Sequence, residues 1–377
     1  MGTVRQPNVG HLPVYPMNHR PAPQKILVRA PNWIGDQILA YPCFHYLRAG
    51  YPTAQITSVC QPWVASLQFR HLVDDVYVLP QPKGASAWAQ VQALEAGARA
   101  LRADGPWDLG LCLPNSFSSA WLFARTGVRW RRGYAADGRG FLLHDKLAWE
   151  PHSKQHRAEA YVHVLPAAVR PQGAVQSFWQ EPAHHGAEPD TPGVCGQFNA
   201  RRAWPVDALI EPPPYPYWIL APGSRAASRR WPVERFAALA KNIAHTTGLS
   251  GLVIGGTAEI AVANQLCQDP VPQLTDFVAR GPVAAYWQVF RQALFTVSND
   301  SGLAHVAALC GSPVYIVWGA GDPGKTKPLG PGPVRILHYP VDCWPCERNV
   351  CFQPQERTLA CLRGIHAEAV LKEIQRS

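Results

Sequence analysis

The chain has 377 residues, 47% of them hydrophobic, with 35 basic against 26 acidic residues and a formal charge of +9. That length suits two cores, since single cores stop growing near about 250 residues, and no apolar run reaches the roughly 18 residues of a membrane span. The first 24 residues hold Pro, Asn, His and Arg where a secretory signal would be apolar, so a cytoplasmic location is expected and residues 1–24 read as a flexible extension.

Residues 25–30 (KILVRA) read as a buried strand, followed by a short loop and a helical stretch from about residue 36 to 49. Residues 55–60 and 75–79 are strand-like, 85–103 is rich in helix formers, and 108–113 is a further apolar strand. Alternating strands and helices imply an α/β unit with a largely parallel sheet, assigned to residues 25–170. Residues 171–215 turn to Pro, Gly, Gln and His and read as a linker. A second α/β series follows over 216–364, with strands at 217–221, 251–254, 293–298 and 313–318 and helices at 233–245 and 302–310. Two such halves bring the carboxyl ends of their sheets face to face across a cleft, where open parallel sheets bind ligands.

Asn299-Asp-Ser-Gly-Leu-Ala-His305 stands where a strand passes into a helix, so unpaired backbone N–H groups there form an anion site. Gly302 lets a phosphate approach, and His305 can donate to it. The competing reading is that Asp300 or Ser301 caps a helix and His305 is a core residue. After the first strand of the second half, Ser224, Arg225, Ser228 and Arg229 offer hydroxyl and guanidinium donors to a diphosphate, against the plainer reading of a solvated basic loop. Asp36 follows Gly35 at the mouth of the first helix and suits a general base for an acceptor hydroxyl; an N-cap aspartate is the plainer alternative.

Six cysteines (Cys43, Cys60, Cys112, Cys195, Cys267 and Cys310) are scattered and read as buried free thiols. Cys343, Cys346, Cys351 and Cys361 are spaced like the ligands of a structural zinc or iron, against the plainer reading of four reduced thiols or an adventitious disulfide. The positive charge favours an anionic partner such as a phosphorylated sugar or a membrane surface. Nucleic acid is set aside, because no zinc finger, basic zipper or aromatic RNA-binding signature accompanies the basic residues.

Together, residues 25–42 (KILVRAPNWIGDQILAYP), 113–121 (LPNSFSSAW), 221–232 (APGSRAASRRWP), 254–259 (IGGTAE) and 299–319 (NDSGLAHVAALCGSPVYIVWG) resemble the ADP-heptose:lipopolysaccharide heptosyltransferases of glycosyltransferase family 9, and most closely their heptosyltransferase II branch. The resemblance implies the GT-B fold, two Rossmann-like domains with parallel sheets facing a central cleft. It implies inverting transfer of heptose from ADP-heptose to the lipopolysaccharide inner core (Kdo/heptose-lipid A), with no cofactor required for the chemistry and a place at the inner-membrane surface.

In that resemblance Asp36 matches the family's catalytic base, and Glu259 a contact to the donor's nucleoside portion. Asp300, Ser301, Gly302 and His305 match the diphosphate turn, and Arg229 stands where the family usually places lysine. Asn115, Ser116 and Ser118 resemble its polar acceptor loop, with Arg131 or Arg132 meeting acceptor phosphates or carboxylates. Residues 365–377 are expected to form a helix packing back toward the first domain. Related heptosyltransferases that modify autotransporter proteins use such cysteines for iron. A protein or other glycan acceptor, and a catalytically silent nucleotide-sugar-binding protein, are the alternatives.

Overall fold

The computed structural model describes residues 21–82, 84, 86–150, 153–179, 198–268 and 274–376. The first sheet holds six parallel strands: β1 (Lys25–Arg29), β2 (Gln55–Cys60), β3 (Asp75–Val78), β4 (Leu109–Cys112), β5 (Trp130–Tyr134) and β6 (Asp145–Leu147), in the order β3-β2-β1-β4-β5-β6. The second repeats the plan with β7 (Tyr217–Ala221), β8 (Ser250–Val253), β9 (Leu274–Asp276), β10 (Thr296–Asn299), β11 (Val314–Val317) and β12 (Val334–Leu337), also all parallel. Numbered within its own half, each sheet runs 3-2-1-4-5-6. The direction of winding reverses between β1 and β4 and between β7 and β10, which opens a crevice at the carboxyl ends of each central pair.

The central strands are buried along nearly their whole length because helices cover both sheet faces. All five residues of β7 are buried, and a fully buried large apolar side chain contributes about 1.5–3 kcal/mol. Local signals fix the helix ends. Ser86 accepts from Ala89 N at 3.1 Å to start Ala87–Ala103, and Gly127 at φ 82° ends Phe117–Thr126 in the left-handed conformation. The stretch expected as one helix from residue 36 is two, Ile34–Leu39 and Tyr41–Gly50, meeting at Ala40 ahead of Pro42, which has no N–H to continue the ladder.

Three expectations change. The terminal helix Ala367–Gln375 packs on Val233–Thr247 of the second half and not on the first: its apolar stripe buries Ala367 and Val370 in a cluster with Trp231, Phe236 and Leu239. The described part of the 171–215 stretch is an aromatic strap. Trp179 stacks on Tyr41 at 5.5 Å and Phe198 meets the same ring edge-on at 5.3 Å, while Phe178 and Trp204 are buried. Residues 180–197 lie outside the described residues, Cys195 among them, as do residues 1–20 of the expected extension. Gln24 is fixed, its N–H donating to Asp108 at 2.9 Å and its carbonyl accepting from Gln55 N at 2.8 Å.

Candidate active site

The two crevices face each other. The helix Ile34–Leu39, which leaves β1, meets the helix Gly302–Leu309, which leaves β10, and the approach leaves no room for a side chain at the glycine each contributes. A Cβ on Gly302 would stand 2.6 Å from the Cβ of Ile34, and one on Gly35 2.8 Å from Cδ2 of His305. Two further contacts cross the junction. The Arg225 guanidinium lies over the Trp33 ring, 4.2 Å from its centroid, and His156 Nε2 is 3.0 Å from the Lys327 carbonyl. His156 Nδ1 accepts from Ala158 N, so Nε2 carries the proton and donates; burial, which lowers this imidazole's pKa, agrees with that neutral form.

Asp36 sits in the first turn of its helix, three residues after the N-cap Trp33, and makes no capping bond. Its carboxylate is 26% exposed, with Arg157 Nε 3.8 Å from Oδ1 and the Tyr161 hydroxyl facing it as a donor. Burial raises its pKa above the ordinary carboxylate value; Arg157, Tyr161 and, from the opposite half, Arg229 pull the other way. Arg157 and Tyr161 escaped the sequence reading, although their i, i+4 spacing puts both on one face of the helix Arg157–His163.

Across the cleft the Asn299 side chain ties the strand ends together, donating from Nδ2 to Pro222 O at 2.6 Å and accepting from Trp231 N at 2.9 Å. Ser224 Oγ donates to Asp300 O at 3.1 Å. Ser301 is the N-cap of Gly302–Leu309 in extended conformation, yet its hydroxyl meets Ser298 Oγ at 3.2 Å and caps nothing, so the helix presents its first N–H groups uncapped. The Asp300 carboxylate, 4% exposed, has Arg229 Nη1 3.1 Å from Oδ2, and burial against that charge leaves its pKa pushed up to about 6. His305 is pushed down to about 3, first by burial and then by His156 and Arg229. Among the described residues, Arg229 Nε and His305 Nδ1 are buried with no hydrogen-bond partner, and Asp300 Oδ2 is met by the Arg229 ion pair. Glu259 Oε2 accepts from Gly256 N at 2.8 Å beside Gly223, where a Cβ would meet its carboxylate carbon at 2.7 Å.

Several anticipated residues are spent elsewhere. Ser228 donates from Oγ to Arg348 O and from N to Asn349 O, which ties the loop to the cysteine-rich segment and turns the hydroxyl from the cleft. Arg131 donates from Nε to Leu142 O at 2.6 Å and from Nη1 to Val128 O at 2.8 Å. Arg132 is buried, ion-paired to Asp145 and donating to Val164 O at 2.7 Å. Both hold β5 to its surroundings, because guanidiniums inside a sheet must satisfy their own donors. Arg139, unnoticed in the sequence, is fully buried and shapes the loop after β4: its guanidinium donates to Pro114 O, Ser116 O and Tyr134 O and, at 3.3 Å, to Asn115 Oδ1. Ser116 Oγ contacts the hydroxyls of Ser118 at 3.1 Å and Ser119 at 2.7 Å.

Cys343, Cys346, Cys351 and Cys361 line one recess of about 30 Å³, and the thiol of Cys361 is raised in pKa by burial and by the other three. They share the recess without converging: among the described residues no three ligating side chains are grouped to hold a metal ion. The donor set suits thiolate chemistry, while the spacing of the thiols as they stand does not close a tetrahedron.

The family model for glycosyltransferase family 9 (heptosyltransferase) matches residues 96–355. Lipopolysaccharide heptosyltransferase 2 of Salmonella typhimurium is 26% identical over 318 residues, 81% of this chain and 85% of that one. Lipooligosaccharide heptosyltransferase 2 of Haemophilus ducreyi is 26% identical over 325 residues, covering 83% and 88%. The structure of Escherichia coli ADP-heptose lps heptosyltransferase II superposes with a TM-score of 0.69 at 20% identity, over 93% of this chain and 98% of that one.

Proposed function

The chain belongs to glycosyltransferase family 9, the heptosyltransferases, and from that premise we propose that it moves heptose from ADP-heptose to a hydroxyl of the lipopolysaccharide inner core, with inversion. The observation that carries the reading is the pair of buried nitrogens without hydrogen-bond partners, Arg229 Nε and His305 Nδ1, beside an uncapped helix start, since buried polar groups without partners mark where a ligand completes the bonding.

The donor diphosphate lies against the first turn of Gly302–Leu309, neutralised by Arg229 and the helix dipole, with Ser301 and His305 beside it and Ser224 bracing the turn through Asp300 O. Glu259 faces the nucleoside portion at the ends of β7 and β8. Arg225, stacked on Trp33, holds the two halves together over it. From the opposite wall Asp36 takes the proton of the acceptor hydroxyl as its oxygen forms a bond to the anomeric carbon. The bond from that carbon to the diphosphate breaks, and ADP departs with the electron pair. A base in one half and a leaving group in the other put attack and departure on opposite faces of the sugar, the geometry of inversion. Asn115, Ser116 and Ser118 line the acceptor side, in a loop that Arg139 fixes.

The chemistry needs no metal, because guanidinium and helix supply the positive charge. We further propose that Cys343, Cys346, Cys351 and Cys361 draw together on a structural zinc or iron; their common recess supports this, and no step of transfer runs through it. Among the described residues no helix is long and apolar enough to cross a membrane, and the charge of +9 supports peripheral binding at the anionic cytoplasmic face of the inner membrane.

The test is ADP release from ADP-heptose with EDTA present, comparing acceptors that carry Kdo alone, Kdo plus one heptose, or no acceptor. Release that requires the heptose-bearing acceptor is expected. Donor binding with no release on any of them would overturn the reading in favour of a binding protein or a different acceptor.

A further inference from the structure

A second cavity, of about 420 Å³, opens beyond the ends of β5 and β6 in the first half. Its size lies within the range of small-ligand sites, roughly 300–1,000 Å³. Tyr134, the last residue of β5, and Trp149 form its aromatic wall, edge to face at 5.5 Å. Gln155, His163 and Arg170 bring polar groups to it, and Glu150 stands on its exposed rim.

The wall is a ready saccharide surface, apolar on its faces and ringed with donors. Gln155 Nε2 is 2.8 Å from His163 Nδ1, and burial, followed by the charge of Arg170, lowers the His163 pKa; the neutral ring accepts at Nδ1 and leaves Nε2–H as a donor. Arg170 donates from Nη2 to the carbonyls of His163 at 3.0 Å and Leu165 at 3.1 Å, while its Nε has no hydrogen-bond partner. Three guanidiniums, on Arg170, Arg132 and Arg157, lie near Tyr134; Arg132 is ion-paired to Asp145 and Arg157 faces Asp36, so Arg170, which itself lines the cavity, is the charge offered to a ligand there.

Position relates the cavity to the reaction. The helix Arg157–His163 is the partition between it and Asp36. Arg157 and Tyr161 face that carboxylate, His163 lines the cavity, and Tyr134 Oη donates to Ala160 O at 3.0 Å. Gln155, which lines the cavity, directly precedes His156, whose ring donates to Lys327 O across the junction, so the cavity wall is one residue along the chain from a contact between the halves.

We propose that this cavity is an acceptor subsite for an anionic sugar residue neighbouring the one that receives heptose, with Trp149 as the platform for its ring and Arg170 as the anchor for its charge. The inference rests on the transfer reading above. The charge can be a carboxylate of a sugar acid or a phosphate on a neutral sugar, and both fit the same guanidinium.

The experiment is steady-state kinetics with soluble acceptor oligosaccharides whose neighbouring residue carries a carboxylate, a phosphate or no charge. For Trp149→Ala the acceptor KM is expected to rise on the order of tenfold with all three, at unchanged kcat and unchanged ADP-heptose KM. For Arg170→Gln a rise of about tenfold is expected with the charged acceptors alone, and the larger of the two rises tells carboxylate from phosphate. Arg170→Lys and Trp149→Phe serve where a truncation lowers the unfolding midpoint, with partial retention of acceptor KM expected. An unchanged acceptor KM in both truncations, or an equal rise in donor KM, overturns the subsite. Wild-type protein that binds neutral and charged acceptors equally removes the anion from it. Wild-type protein that transfers to none of them overturns the transfer reading itself, and the subsite with it.

Discussion

Arg157 holds its Nε 3.8 Å from Oδ1 of Asp36, so the proposed base is poised by a charge from a helix five strands further along the chain. Burial raises the Asp36 pKa and Arg157 is the largest influence opposing it. A general base at Asp36, as proposed, works only when ionised, so kcat/KM is expected to fall as pH drops through a value above the ordinary carboxylate range. Arg157→Gln removes the lowering charge and should move that acid limb to still higher pH, leaving the plateau rate largely intact. Asp36→Asn should abolish the limb, cost about 10²- to 10⁴-fold in turnover and keep the donor's affinity. A pH–rate profile with calorimetry of ADP binding checks all three. A limb that stays put in Arg157→Gln would show that Arg157 does not tune the base.

Much of this was legible in the sequence, for a local reason. Buried parallel strands show as short apolar runs, 26–28 and 217–221 among them, and the turn 299–305 carries a buried strand into a helix, so the proposed donor half of the site appears as one segment. β5 and β6 were missed because Arg131, Arg132 and Asp145 break the apolar pattern; their charges are satisfied only by partners that the fold supplies. Arg139 and Arg157 were missed for the same cause, since each acts on a loop or carboxylate more than twenty residues distant. The aromatic strap lacks any period, and its Phe and Trp residues find Tyr41 through tertiary packing alone.

Asp300 and His305, at the two ends of the anion turn, contribute opposite slopes to stability against pH. The folded pKa of Asp300, about 6, exceeds its unfolded value of about 3.9, so its contribution is complete in acid below the lower value and lost as pH rises through the upper one. The folded pKa of His305, about 3, lies under its unfolded value of about 6.5, so its contribution is complete above the upper value and lost as pH falls through the window. Between roughly pH 4 and 6 the two offset each other. His305→Gln should leave a stability that declines with rising pH there, and Asp300→Asn one that climbs. Urea midpoints at half-unit steps across that range measure both; parallel slopes in the two variants would contradict the assignment.

For the cysteine recess, protein purified without added metal is expected to carry one zinc or iron per chain by elemental analysis. Cys343→Ser together with Cys361→Ser should lose the ion and several degrees of unfolding midpoint, in keeping with a structural site. With the diphosphate charge met by Arg229 and the helix start, as proposed above, chelation should lower the midpoint before it touches the rate measured below that midpoint. Absence of a stoichiometric ion would leave four reduced thiols around the recess.

Gly302 offers the sharpest test of how the halves meet. A Cβ there would stand 2.6 Å from Ile34 Cβ and 2.8 Å from Ile34 Cγ2. The Ile34 Cβ is fixed to its backbone, so the clash cannot be relieved by swinging a flexible side-chain end. Gly302→Ala must push the helix Ile34–Leu39 away and carry Asp36 with it. Overpacking of this kind costs about 1–3 kcal/mol, and a displacement of the base by about 1 Å lowers turnover on the order of a hundredfold. Pairing Gly302→Ala with Ile34→Gly removes both the Cβ and the Cγ2 that the new methyl would strike, so the double variant should recover a good part of the turnover that Gly302→Ala alone loses. Turnover at saturating donor, measured for the two single variants and the double, reads this coupling directly. Simple addition of the two single effects would mean that the helix starts do not act as one unit.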